Sequence, residues 1–284
     1  MKTAGTLLAL LLTASLFAQN IENATVQRTD ATRGVGAAIA SVGSATPTWF
    51  AWTAPIRGHS ICCWEGGGKG KGNGCCGRCK LDGGNGFSIN DEDEDDGPVA
   101  IGDKSEMLLV ARVEHGKVRN VRLFSASCGL DGQGKTIHLL TNVTPESSID
   151  YLLAQIRNAD REGQLLAALS LHDHPRVVPA LIDLARHDPD KEIRRHAIFW
   201  LGQKAGTKVA GELRRAIDED PDEDVKQHAV FAISQLPRER SVPLLIDLIK
   251  THKNRAVRER AMFWLAQTDD PRALDLIEGI LMKP

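Results

Sequence analysis

No segment of the 284 residues has the run of about 20 apolar residues that a membrane-spanning helix needs; Leu7 to Leu12 is far too short. Charge of one sign is missing too. Lys and Arg number 35 against 37 Asp and Glu, a formal net charge of -2, so there is no overall basic field to draw nucleic acid or an anionic membrane. Cysteine is absent beyond Cys128. Several chemistries lack one required residue. Gly70-Lys71 is followed by Gly72 where a phosphate-binding P-loop has Ser or Thr. Cys76-Gly77-Arg78-Cys79 is followed by Lys80 where haem attachment has His. In the acidic run Asn90 to Gly97, an EF-type calcium loop starting at Asp91 would need Gly and Glu where Asp96 and Gly102 stand. That run reads as a solvated acidic loop. Ser, His and Asp are present, but nothing in the sequence places a trio together. The chain therefore reads as a non-enzyme, with no metal or cofactor and no catalytic residue.

What is present begins with a leader. Lys2, the apolar run and the small Ala18 before Gln19 form a secretory signal peptide over residues 1–18, with cleavage after Ala18. The expected mature protein is periplasmic or secreted, with no stable membrane insertion once the leader is removed. The cysteine count fits this compartment. Cys62, Cys63, Cys75, Cys76, Cys79 and Cys128 are even in number, which in an exported chain points to disulfides. The sequence does not choose among their pairings. Metal binding by half of a zinc site, or redox chemistry at Cys62 to Cys79, is the alternative.

Residues 19–145 read as a small β-rich, disulfide-stapled domain. Ile21 to Ser44 gives no clear periodic signal and is expected to be extended or partly disordered. Thr48 to Thr53 suits a short strand in which Trp49 and Trp52 face opposite sides, and Ser60 to Trp64 suits a second. Gly66 to Gly74 cannot pack and reads as a surface loop between the cysteine pairs. Met107 to Val113 and Lys117 to Phe124 form a predicted hairpin around His115-Gly116. Ser127-Cys128 follows it, and Lys135 to Leu140 is a last strand.

Residues 146–284 are organised by repetition. Ile193 to Gln203, Val225 to Gln235 and Val257 to Gln267 are one pattern restated at a step of 32 residues, which marks a stack of helix pairs. The expected first helices are Val178 to Arg186, Val209 to Ile217 and Val242 to Lys250, with Leu181, Leu213 and Leu245 in register. A degenerate pair, Ile149 to Asn158 and Glu162 to Leu171, precedes them, and Ala273 to Leu281 closes the array. Ile193, Ala197, Trp200 and Leu201 mark the core face, and the small Ala197, Ala229 and Ala261 let the neighbouring helix approach. Phe199, Phe231 and Phe263 lie roughly 145° from the centre of that stripe, at about 100° per residue. Gln203, Gln235 and Gln267 follow one turn on, with His196, His228 and Arg260 one turn before. This column is the candidate binding surface for a protein or peptide. The competing reading packs the Phe row between layers, because stacked repeats touch neighbours on both sides. Arg194, Lys226 and Arg258 recur as solvated charges or partners of acidic groups in the preceding loops.

On Ile193-Arg194-x-x-Ala197 with Leu201-Gly202, Val225-Lys226-x-x-Ala229, and Val257-Arg258-x-x-Ala261 with Leu265, the units resemble HEAT repeats of the short phycocyanobilin-lyase type. The resemblance implies a mainly α fold, an α-solenoid of HEAT-like helix pairs, carried here behind the β-rich domain. The whole layout resembles exported bacterial HEAT-repeat proteins through Cys62-Cys63-Trp64, Cys79-Lys80-Leu81-Asp82, Phe87-Ser88-Ile89 and Cys128-Gly129-Leu130-Asp131. Deoxyhypusine hydroxylase shares such repeats and binds iron through His-Glu pairs. The aligned positions here are Arg195-His196, Gln227-His228 and Glu259-Arg260, none of them His-Glu, so neither that metal site nor a bilin lyase activity is implied. The expected function is a secreted or periplasmic interaction scaffold or adaptor, with no nucleic-acid partner.

Overall fold

The computed structural model describes residues 21–56, 60–63, 79–81, 87–90, 105–126, 129–204 and 207–282. The signal segment, the Gly66–Gly74 loop, Cys75, Cys76, Cys128 and the acidic run from Asp91 lie outside them. For Cys62 and Cys63 only the backbone is described. The chain forms two compact units that divide between Asp173 and His174.

The first unit is built on a mixed six-stranded sheet rather than on hairpins alone. Its strands are β1 (Ile21–Asp30), β2 (Thr48–Ile56), β4 (Cys79–Lys80), β6 (Ser105–Glu114), β7 (Lys117–Ser125) and β8 (Leu130–Thr141), while β3 (Ser60–Cys63) and β5 (Phe87–Asn90) form a separate pair. The order is β1-β8-β2-β6-β7, with β4 also on β8. β1, β2 and β4 run parallel to β8, and β6 and β7 are antiparallel. Of Ile21 to Ser44, expected extended or partly disordered, Ile21–Asp30 is extended as strand β1, and the rest is corrected by helix α1 (Val35–Val42). β1 hydrogen-bonds only to β8 and leaves most side chains in solvent, so no apolar alternation marks it. The predicted hairpin is present as β6–β7. Both turn residues are left-handed, His115 at φ 49° and Gly116 at φ 73°, as a two-residue turn that follows the strand twist requires.

Both sheet faces are buried, so Trp49 and Trp52 point to opposite sides and each is core. Trp49 and Ala51 pack with Leu108, Val110, Phe124, Ile137, Leu139, Cys79 and Leu81. Phe50, Trp52 and Ala54 face the other way, toward helices α2 (Pro145–Gln155) and α3 (Glu162–Leu171). A buried polar chain fixes this packing. Trp52 Nε1 donates to Ser148 Oγ at 2.8 Å, and Ser148 Oγ lies 2.8 Å from His172 Nε2. His172 Nδ1 lies 2.7 Å from the Ala168 carbonyl. That carbonyl only accepts, so Nδ1 carries a ring proton and Nε2 is the nitrogen that faces Ser148. Ser148 is 0% and His172 2% exposed, so this Ser–His contact is sealed inside the fold. The backbone adds an Ile56–His172 bridge and a bond from Asp173 N to the Pro55 carbonyl at 2.9 Å. These contacts explain why the first compact unit includes the first helix pair.

The second unit runs α4 (Val177–His187), α5 (Lys191–Gly202), α6 (Thr207–Glu219), α7 (Glu223–Ser234), α8 (Arg238–Thr251), α9 (Arg255–Ala266) and α10 (Pro271–Leu281). The second helix of each pair starts on a cap repeated every 32 residues: Asp190, Asp222 and Asn254 accept from the backbone two residues on at 2.9, 3.0 and 2.8 Å. Leu181, Leu213 and Leu245 are fully buried, as are Ala197, Ala229 and Ala261. A β-carbon on Gly202 would stand 2.9 Å from that of Ala232, so α5 and α7 meet almost backbone to backbone there.

Arg194 is not a solvated charge. It is buried and grips Asp220 of the next unit with Nε and Nη2 (2.8 and 3.1 Å), while Nη1 donates to the carbonyls of Asp188 and Pro189. One repeat on, position 252 is His, so Lys226 pairs with Glu223 at 3.1 Å instead. Arg258 again donates to two loop carbonyls, those of His252 and Lys253. The recurring cation thus ties each second helix to the turn before it only where it is Arg.

Ser148→Ala leaves the Trp52 N–H and His172 Nε2 buried without their partner. A loss of about 1–3 kcal/mol is expected, read as a lower urea midpoint with an unchanged denaturant slope.

Candidate functional site

The second helices α5, α7 and α9 lie side by side in the repeat stack, and their outward residues set the candidate surface. Of the nine column residues, Gln203, Gln235, Gln267 and Phe263 are exposed, and His196, Phe199, His228, Phe231 and Arg260 are half-buried. The Phe residues split between the two readings. Phe199 and Phe231 stack on each other, 6.3 Å apart and 9° from parallel. Phe263 is 51% exposed and meets the rim of Trp264 edge-on at 5.0 Å.

The column is straight at a step of 32, but several side-chain contacts between successive helices fall one residue further on. Phe231 packs on Trp264 at 4.9 Å, Arg260 Nη2 donates to Gln227 Oε1 at 3.0 Å, and Lys191 Nζ reaches Asp224 at 3.3 Å. This offset opens a groove of about 550 Å³ lined by Glu192, Arg195, Asp224, Gln227, His228, Phe231, Arg260 and Trp264. It takes in three of the nine column residues, His228, Phe231 and Arg260. The exposed glutamines and Phe263 stand outside it. Glu192, Arg195, Asp224, Gln227 and Trp264 were missed by a straight-column argument. The long polar side chains just before each column member, at 195, 227 and 259, were the available signal.

The groove has an aromatic wall and a charged floor. His228 sits 5.6 Å from Phe231 and 6.4 Å from Phe199. Arg195 is ion-paired with Glu192, and Asp224 with Lys191. Arg260 has only the Gln227 amide; no carboxylate among the described residues meets it. Trp264 Nε1 is shielded and makes no hydrogen bond to a described residue. Burial holds the His228 imidazole below its usual value, and the positive charges of Arg195, His196 and Arg260 reinforce this against Glu192. The groove therefore offers an apolar surface beside one guanidinium that meets no carboxylate of the described residues. Among the described residues, no three His, Cys, Asp or Glu side chains are grouped to hold a metal.

The family model for HEAT repeats matches the sequence over residues 149–226, 178–247 and 210–284. Residues 149–284 are HEAT repeats. The HEAT match begins within α2, so the first HEAT pair belongs by packing to the sheet unit. HEAT repeats are generally non-enzymatic protein-interaction scaffolds. No curated protein matches the sequence. No helix of the described residues is long and apolar enough to cross a membrane.

Because the folded value of His228 lies below the unfolded one, near 6.5, its neutral form is the one the fold favours. The stability it contributes is complete above the unfolded value and is lost as pH falls from there through the folded value. In an NMR titration, the His228 ring should titrate below the ordinary histidine value, and Arg260→Gln should move it upward.

Proposed function

We propose that the groove on α5, α7 and α9 binds an extended segment of a protein partner, making the protein an interaction scaffold. The supporting observation is the Phe231–Trp264 wall beside Arg260, a cation with no carboxylate among the described residues. Aromatic residues and Arg are the side chains that most often anchor protein interfaces. A segment carrying an apolar or aromatic side chain next to a carboxylate would fill the wall and meet Arg260. The nine column residues form the surface around this point, with Phe263 and the three glutamines at the rim. Peptides selected on the intact protein from a random library should be enriched in such pairs. Arg260→Gln should weaken them about tenfold or more, the loss of one charge-assisted contact, and Phe263→Ala less, both with unchanged helical circular dichroism. Selected peptides indifferent to Arg260→Gln would refute the assignment.

We also infer that the protein is exported and that its first unit is stapled by disulfides. The leader-like residues 1–18 and the even cysteine count support this, as does Cys79, which is fully buried and is not a free thiol. Protein recovered from the exported fraction should begin at Gln19 and show no titratable thiol when denatured without reductant. Free thiols with stoichiometric metal would favour the alternative, metal or redox chemistry at Cys62 to Cys79.

A further inference from the structure

The first unit holds a second concavity that the repeat surface does not explain. β8 runs past the start of β2: its pairing with β2 begins at Ile137 opposite Trp49, while Lys135 and Thr136 pair only with β1. β6 flanks the other side, with Arg112 opposite Trp49. Between them a crevice of about 500 Å³ opens over the chain from Thr46 to Trp49. Its lining includes Arg112, Lys135 and His138 and contains no Asp or Glu. Neither the Arg112 nor the Lys135 side chain makes an ion pair or hydrogen bond with a described residue. Elsewhere in the chain, Arg119, Arg186, Arg194, Arg214, Arg215 and Arg255 each face a carboxylate. Two uncompensated cations are thus held at one concave point of a protein whose net charge is negative.

Two cations on one sheet face suit an anion: Arg112 and Lys135 share the face of Trp49 and Ile137, while Thr136 and His138 alternate to the other. The Thr48 hydroxyl already donates to the Thr46 carbonyl at 2.9 Å and can only accept. Trp49, 5% exposed, forms an apolar floor. We propose that this crevice binds a small organic phosphate, its oxyanion held by Arg112 and Lys135 and its organic part lying toward Trp49. The pairing of Arg and Lys matches the charge of about -1.5 to -2 on a phosphate monoester at neutral pH, and Arg supplies the planar fork that phosphate oxygens accept. The volume exceeds what inorganic phosphate alone would fill.

The test is a titration of the full mature protein with phenyl phosphate and with inorganic phosphate, followed by amide shifts in ¹H–¹⁵N spectra at low salt. Saturable shifts centred on Arg112 and Lys135, tighter for phenyl phosphate, are expected. Arg112→Gln with Lys135→Gln should weaken binding about a hundredfold, roughly tenfold per charged contact. Arg28→Gln, an exposed cation on β1, should leave it unchanged. The proposal is overturned if the shifts do not saturate. It is also overturned if they spread over all basic residues, or if the double variant, still showing a dispersed spectrum, binds as well as the parent.

Discussion

Close approach between successive second helices governs the repeat unit. Ala197, Ala229 and Ala261 keep the contacting faces thin, and Gly202 brings α5 within reach of the Ala232 backbone. A bulkier residue at these points would separate the helices. The aromatic rings outside the contact are spaced by it: Phe199 can stack on Phe231 at 6.3 Å only because the helices beneath them are this near. The groove, the stagger of one residue and the shielding of His228 all follow from that spacing. The caps at Asp190, Asp222 and Asn254 set where each helix starts, and so hold the register in which the rings meet.

The sheet unit depends on a different device. Its two-faced core demands cover on both sides, and on one side that cover is a helix pair matched as HEAT repeat. Apolar packing alone would let this pair slide. The chain of bonds from Trp52 through Ser148 to His172 and Ala168 admits only one placement, since each donor and acceptor is buried and costly to leave unmet. A serine and a histidine within hydrogen-bond reach are here a fastening, closed to solvent and to substrate.

The repeats could be read from the residues because their contacts are local and periodic. Leu181, Leu213, Leu245 and the three alanines followed from spacing alone, and so did the β6–β7 hairpin with its left-handed turn. The rest depended on distant partners. β1 is mostly solvent-facing and pairs with a strand at the far end of its unit, so its own residues carry little signal. Arg194 looked like a surface charge because its burial is made by Asp220 of the next repeat. The column and the groove share three residues of the groove's eight, His228, Phe231 and Arg260. The column failed for Arg195, Gln227 and Trp264 because a repeat length measured along the chain is not the offset at which two tilted helices touch.

β8 lies between β1 and β2 in the sheet yet comes last of the strands in the chain. Ile21 must find Leu130, and Trp49 must find Ile137, so the sheet closes only after the whole unit has been synthesised. Closing such long loops before any reward is what slows folding, whereas stacked helix pairs, in touch with neighbours about 33 residues away, assemble quickly. During synthesis the open sheet, with Trp49, Phe50 and Trp52 on β2, waits uncovered for β8 and then for α2 and α3. The vulnerable interval in the life of this protein is therefore its birth, and the part at risk is the sheet and not the repeats.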